Sequence, residues 1–443
     1  MPVWVHAAAA RRPDRVAVEG PERSLTYAEL AAAATRAAGA LAREGIASGC
    51  RVALALAPPE EFVIALHGCL LAGAAAVPID LRHSEAERAR RMAGADLVLS
   101  RPLDGAPAGA PRTRAPAGGP SQRAPAGGPG QRPAGDPDVA VMHTSGTTAA
   151  PKPVVLSHGN FEASALGSAV ALGLHPAERW LCPMPLTHVG GLSIPIRSAV
   201  YATTAVLPGR FDTDAVLNEL RDPARRITLV SLVPTMLARL LDAGLAHPPT
   251  LRWVLLGGGP IAPSLLERSE RAGIPVAPTY GMTEACSQIA TFGWPLTGVE
   301  VRTEAGEVIV RGPIVARDAL AEDGWLHTGD LGHFDSRARL VITGRQADTI
   351  ITGGENVAPS EVEAVLLEHP AVADAGVHPR PDADWGEAVV ATVVLRPDAH
   401  TDPEELRAHC AARLAGFKVP KEITFREQLP RTASGKLLRR QLA

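Results

Sequence analysis

The sequence predicts an α/β protein. It should have a large N-terminal domain of parallel or mixed sheets covered by helices, with a small β-barrel-like part, and a small C-terminal α+β domain. Three observations carry this expectation. Short apolar runs alternate with helix-like stretches from the start to about residue 278, the pattern of strands and crossover helices in a covered parallel sheet. After residue 298 the texture changes to short strand-like runs between turns, among them 307–311 and 340–343. From Ile350 a compact mixture of helix and strand patterns follows. A chain of 443 residues exceeds one ordinary domain, and a hydrophobic content of 46% can fill large cores. The domains are expected at 1–343 and 344–443, with the boundary near Gly344–Arg345.

Taken in order, Thr26-Tyr-Ala-Glu29 reads as a capping box, in which a hydroxyl and a carboxylate three residues apart satisfy each other's free backbone donors. It opens an Ala-rich helix that ends near Gly45. A strand is expected at 51–57 and a helix at 60–72. A second capping box, Ser84-Glu-Ala-Glu87, precedes a strand at 96–100. Residues 101–137 break the pattern. They are mainly Pro, Gly, Ala and Arg, and a nine-residue unit starting at Arg114 repeats from Arg123. Such a stretch cannot form a core and is expected to loop out as a low-complexity insertion. Helices then follow at 158–171, 188–200, 213–221, 235–243 and 263–272. Strands are expected at 179–183, 203–207, 227–232, 251–256 and 275–278. In the last hundred residues Ser360-Glu-Val-Glu363 reads as the cap of a helix to His369. Strands at 371–378 and 387–395 follow, then a helix led by Thr401-Asp-Pro-Glu404, with Pro in its first turn.

Composition excludes several classes. A net charge of −3 gives no electrostatic case for nucleic acid or an anionic membrane. The longest apolar run, 62–79, contains His67, two glycines and Pro78, and reads as a buried helix and strand rather than a membrane span. The five cysteines are scattered without a C-x-x-C pair, and the N-terminus lacks a signal-peptide pattern. Both point to a reducing cytoplasm without disulfides or zinc. A homodimer is left open. The basic residues are almost all Arg; only Lys152, Lys418, Lys421 and Lys436 are Lys. Lys152 and Lys436 lie in loops of small residues, where a compact ammonium serves better than a planar fork.

The run from Val139 to Pro153 organises the rest. A short apolar strand leads into Thr144, Ser145, Gly146, Thr147 and Thr148, and Lys152 follows. Small donors and one ammonium suit a polyphosphate. Prolines at 151 and 153 bracket the lysine, so this is not a Walker loop; the alternative is an ordinary surface loop. Further along stand Gly257-Gly258-Gly259-Pro260 after a strand, then Tyr280-Gly281-Met282-Thr283-Glu284, Thr328-Gly329-Asp330, Gly344-Arg345, Gly353-Gly354-Glu355-Asn356 and Ser434-Gly435-Lys436. Glycines at the carboxyl end of a strand allow a flat ring to approach the backbone. Tyr280 could cover such a ring, Thr283 bond a phosphate and Glu284 hold Mg²⁺ beside phosphates. Asp330 could accept both hydroxyls of a ribose, with Arg345 sharing them. For each, a turn, cap or surface residue is the plainer alternative.

In order and spacing these motifs resemble the acyl-adenylate-forming superfamily of acyl-CoA synthetases, luciferases and peptide-synthetase adenylation domains, over nearly the whole chain outside 101–137. The resemblance implies two half-reactions: a carboxylic acid and MgATP give acyl-AMP, and the CoA thiol then displaces AMP. It implies that Lys436 stabilises charge in the first step. The C-terminal domain would then swing about a hinge near Arg345, withdraw Lys436 and present Gly353, Gly354 and Glu355 to CoA. The chain departs from the family's usual residues at Ala149 and Pro153, where glycine is common, and at Ala347, where the hinge is normally charged.

The acid is addressed by His188-Val-Gly-Gly-Leu-Ser193-Ile-Pro-Ile-Arg197. His188 resembles the family's gate between acyl pocket and ATP. Ser193 and Arg197, four apart, share a helix face, and an Arg on an apolar helix implies an anionic group on the substrate; the alternative is that Arg197 simply reaches solvent or an internal carboxylate. With the segment 280–291, this block resembles the o-succinylbenzoate–CoA ligase branch of menaquinone biosynthesis. Arg197, with Ser193 or Gln288, would hold the carboxylate that is not activated. The alternatives are a ligase for another aromatic or fatty acid, and a nucleotide-binding homologue without catalysis.

Overall fold

The computed structural model describes residues 4–103, 136–143, 152–432, 435 and 437–442. The insertion expected at 101–137 and the phosphate-loop residues Thr144, Ser145, Gly146, Thr147 and Thr148 therefore fall largely or wholly outside the described residues, as does Lys436.

Among the described residues the strands form four sheets. The largest has nine strands, in the order Trp294–Pro295, Ser287–Thr291, Val276–Met282, Trp253–Leu256, Leu229–Leu232, Arg179–Leu181, Thr204–Val206, Val16–Glu19 and Ser24–Thr26. Its central strands are parallel, and nearly all their residues are buried, as a sheet covered on both faces requires. A second sheet runs Leu97–Leu99, Arg51–Leu54, Ala75–Pro78, Asp138–His143 and Pro153–Ser157. Its last strand is antiparallel and pairs His143 with Pro153, so the two ends of the phosphate loop are held side by side.

The β-barrel-like part expected after residue 298 is an antiparallel sheet of Glu300–Glu304, Glu307–Arg311, Leu326–Phe334 and Leu340–Arg345. The last sheet is built from residues 350–425, and its apolar cluster, from Ile350 to Ile423, contains no residue of the first 349. No helix among the described residues is long and apolar enough to cross a membrane.

The local signals mostly act as read. Both sides of the Thr26 and Ser84 capping boxes are formed. The helices at 158–172, 189–201, 213–221, 234–242 and 263–271 lie within a residue of expectation. The Ser360 cap does not form. The helix is Pro359–Leu367, its N-cap Ala358 makes no side-chain bond, and proline fills the first turn. Ser360 Oγ instead donates to Thr343 O at 2.7 Å, while Glu363 accepts from Val377 N and pairs with Arg439. Tertiary partners have taken both halves of the box.

Candidate active site

The first cluster forms where strand Val276–Met282 leaves the nine-stranded sheet. Residues 276–278 pair in parallel with Trp253–Leu256, and 279–282 pair antiparallel with Ser287–Thr291. The glycines here are steric necessities. A Cβ on Gly281 would lie 1.6 Å from Ser287 O, and one on Gly257 would lie 2.6 Å from Thr279 Cγ2. Gly258 has φ +80°, open to glycine at no steric penalty. Gly257, Gly258 and Gly259 thus form a bare turn at a strand's carboxyl end, next to Tyr280, Gly281 and Met282.

Tyr280 Oη donates to Asp330 Oδ2 at 2.8 Å. Arg345 Nε donates to the other oxygen, Oδ1, at 2.7 Å. Asp330 and Arg345 face each other on neighbouring antiparallel strands, and Asp330 is buried. Burial, then the Asp330 charge, pushes the Tyr280 phenol up, so it stays a proton donor. Thr283 and Glu284 follow in a single 3₁₀ turn. The half-buried Glu284 carboxylate makes no hydrogen bond or ion pair with any described residue, and no cluster of three metal-ligating side chains exists among them. One free carboxylate fits a cation whose other ligands are phosphates and water, the habit of Mg²⁺.

The second cluster is on helix Val189–Tyr201. His188 is its N-cap residue, and its ring Nε2 is buried without a partner. Burial takes the imidazole down to about 4, so the ring is neutral at pH 7. Ser193 gives its proton to Val189 O at 2.6 Å. Arg197 is 1% exposed. Its Nη2 donates to Ser164 Oγ at 2.9 Å, its guanidinium lies 5.8 Å from the Trp180 ring centre, and its Nε and Nη1 are buried without acceptors. No carboxylate pairs with it among the described residues; burial pushes against its charge. Gln288, equally buried, donates to Thr291 Oγ1 at 2.8 Å and leaves its Oε1 unpartnered. Ser164 was not anticipated; a serine inside an Ala-rich helix carries no signal until the facing helix is placed.

The C-terminal residues divide. Gly353 and Gly354, with φ of +59° and +83°, turn the hairpin Ile350–Thr352 to Glu355–Val357, as two-residue hairpins favour. Glu355 is exposed there. At the other end, Gly435 lies against the N-terminal part: a Cβ on it would be 3.1 Å from Val233 Cγ2 and 3.3 Å from Thr235 Oγ1. Val233 also faces Gly258, at 3.2 Å from the same construction. One side chain therefore separates Gly435 from the Gly-Gly-Gly turn. Nothing in the local sequence marks Val233 for that position. Lys152 is exposed at the start of strand Pro153–Ser157.

Comparison with known proteins agrees with this layout. Residues 5–318 match the model of the AMP-binding enzyme family, and 361–436 match the AMP-binding enzyme C-terminal domain. A 2-succinylbenzoate–CoA ligase of Bacillus licheniformis is 39% identical, over 100% of this chain and 99% of that protein. The structure of o-succinylbenzoate CoA synthetase from Bacillus subtilis with the acyl-adenylate OSB-AMP is 34% identical with a TM-score of 0.86, covering 100% of this chain and 98% of that one. A double mutant of the same enzyme bound to the product analogue OSB-NCoA, 35% identical with equal coverage, gives 0.69.

Proposed function

The chain belongs to the AMP-binding enzyme family, and from that premise we propose that it joins 2-succinylbenzoate to CoA at the expense of ATP, a step of menaquinone biosynthesis. ATP, Mg²⁺ and CoA are the co-substrates and cofactor of this AMP-forming ligation.

One observation supports the choice of acid above the others. Arg197 is a guanidinium in the core with two orphaned donors and no counter-charge among the described residues. Such a charge is strongly unfavourable unless a ligand completes it. 2-Succinylbenzoate has two carboxylates. The succinyl one is activated; the aryl one remains, and a fork of N–H donors matches it. Gln288 would join Arg197 through its second amide N–H, whereas the Ser193 proton goes to Val189 O and leaves that hydroxyl no donor for a carboxylate in this arrangement.

In the first half-reaction an oxygen of the succinyl carboxylate attacks the α-phosphorus, and the bond to pyrophosphate breaks. Thr144, Ser145, Gly146, Thr147, Thr148 and Lys152 hold the outgoing phosphates. The bare backbone of Gly257, Gly258 and Gly259 takes one face of the adenine, with Tyr280, Gly281 and Met282 beside it. Asp330 and Arg345 take the ribose, and Thr283 takes the α-phosphate. Magnesium, when bound at Glu284, supplies charge neutralisation on the phosphates. Lys436 adds an ammonium where negative charge builds up. The neutral His188 ring stands between acyl group and nucleotide. In the second half-reaction the thiol attacks the acyl carbon and AMP leaves. Residues 344–443 form the mobile domain that withdraws Lys436 and brings Gly353, Gly354 and Glu355 to the thiol's path, a hinge transition about residues 345–348. The lower likeness to the OSB-NCoA complex than to the OSB-AMP complex supports the adenylate-forming pose for the arrangement described here. We place the enzyme in the cytoplasm, consistent with five free thiols.

The test is a substrate panel with MgATP and CoA. 2-Succinylbenzoate should be consumed far faster than benzoate, coumarate or fatty acids, and a flat profile overturns the assignment.

A further inference from the structure

Beside the strand that leads into the phosphate loop lies a cavity of about 180 Å³ to which the mechanism gives no work. Its floor is Val77 and Val141, on adjacent parallel strands. Its walls are cationic. Arg51 stands at the start of its strand, Arg90 and Arg91 in the last turn of helix Glu85–Met92, and His143 at the end of strand Asp138–His143.

Arg51 and Arg90 are exposed and Arg91 is half-buried, so water screens part of their mutual repulsion, and an anion between them would relieve the rest. Several arginines elsewhere do have such partners: Arg23, Arg225, Arg252, Arg268 and Arg431 each rest on an Asp or Glu. Among the described residues, no carboxylate pairs with the side chain of Arg51, Arg90 or Arg91. The acidic groups nearby are otherwise engaged. Asp96 accepts from the Arg51 backbone N–H at 2.7 Å, Glu87 closes the Ser84 capping box, and Asp80 holds Arg82. Two polar atoms at the cavity, Arg91 Nε and His143 Nδ1, are buried without a partner. Among the described residues the one side-chain bond across it is Arg91 Nη1 to His143 O, at 3.5 Å. Burial, with Arg91 and Arg51 nearby, takes the His143 ring down to about 4, so the positive charge here belongs to the arginines.

We propose that this cavity seats a phosphate-bearing anion between Arg51, Arg90 and Arg91. Its volume is below the roughly 300–1,000 Å³ of pockets that enclose a drug-sized ligand, which suits a phosphate group rather than a whole nucleotide. The inference rests on the ligase reading in one respect: that reaction offers two sources, the pyrophosphate it releases and the 3′-phosphate of CoA. The ends of the phosphate loop, His143 and Pro153, border the cavity, which puts it within reach of pyrophosphate released there.

Direct binding is tested first because it needs no turnover. Inorganic pyrophosphate is titrated calorimetrically into the full-length protein carrying Lys152→Ala, which weakens the phosphate-loop site. Adding Arg51→Gln and Arg90→Gln should raise the Kd at least tenfold with an unchanged thermal melt; Arg90→Gln alone serves if the double change disturbs folding. Steady-state kinetics in the otherwise native enzyme then separate the sources. If CoA is the donor, the double variant raises KM for CoA about tenfold and leaves KM for dephospho-CoA alone. If pyrophosphate is the donor, both thiol KM values hold and the Ki for pyrophosphate rises about tenfold. A folded double variant with unchanged Kd, KM and Ki overturns the proposal. Failure to use 2-succinylbenzoate would remove the ligase reading while the titration still reports on the cavity.

Discussion

Arg345 Nε lies 2.7 Å from Asp330 Oδ1, across a directly opposed pair of positions on neighbouring strands. The contact joins the residue proposed to hold the ribose with the last residue before the 3₁₀ turn Gln346–Asp348, at the proposed domain boundary. In the proposed mechanism, nucleotide occupancy and hinge position share this one ion pair. Asp330→Ala should raise KM for ATP on the order of 10²-fold, because it leaves Arg345 and Tyr280 without their acceptor. Tyr280→Phe removes a single hydrogen bond of about 0.5–1.5 kcal/mol and should raise it by roughly 2- to 13-fold. ATP saturation curves for the two variants check this order.

Arg197 allows binding to be separated from folding. Replacing a buried unpaired charge by an apolar side chain of similar volume is often neutral or stabilising. Arg197→Met should therefore keep or raise the Tm. It should raise KM for 2-succinylbenzoate on the order of 10²-fold, from the roughly 2–5 kcal/mol of a buried charged contact. A lower Tm with unchanged KM would make Arg197 a structural residue instead.

The turn before Lys436 should be specific to one half-reaction. Gly435 has φ +82° and no room toward Val233. Gly435→Ala adds strain of roughly 1 kcal/mol in that conformation, enough to slow adenylation several-fold. Lys436→Ala should slow it far more. Neither should impair thioester formation from supplied acyl-AMP, measured by CoA consumption in a single turnover.

Acid lability has an identifiable source. His67 is fully buried, and neither ring nitrogen has a partner. Burial takes its pKa down to about 4, against an ordinary value near 6.5. Because the folded pKa is the lower one, the unfolded chain binds the proton first. The neutral ring is harmless above pH 6.5, and stability falls as pH drops from 6.5 to 4. By pH 4.5 the loss from this group is about 2–3 kcal/mol. His67→Leu should remove that part of the pH dependence, as urea melts at pH 7.5 and 4.5 would show.

How much of this was legible in the sequence varies with the physics of each element. Helix Val189–Tyr201 was placed within a residue because its apolar residues and the strand before it leave little choice. Strand Val276–Met282 was cut short at 278, because its second half, Thr279-Tyr280-Gly281-Met282, has no apolar run or alternation and is held by a partner strand rather than by burial. Strands Val16–Glu19 and Ser24–Thr26 were missed, since four and three residues are too short for any period to show. In the site, chemistry-bearing residues were visible as motifs. Their supports were not: Ser164, Thr279 and Val233 are ordinary residues given a role only by what folds against them.

The place of Val16–Glu19 in the nine-stranded sheet sets a schedule for synthesis. It pairs in parallel with Thr204–Val206, Val18 opposite Ala205. At about 5–20 residues per second, a ribosome needs roughly 10–40 seconds to make the intervening chain. Throughout that interval the first strand has no neighbour to join beyond its own hairpin. The sheet cannot close from its N-terminal edge inward, and a fragment ending in the phosphate loop would emerge with that edge unsealed.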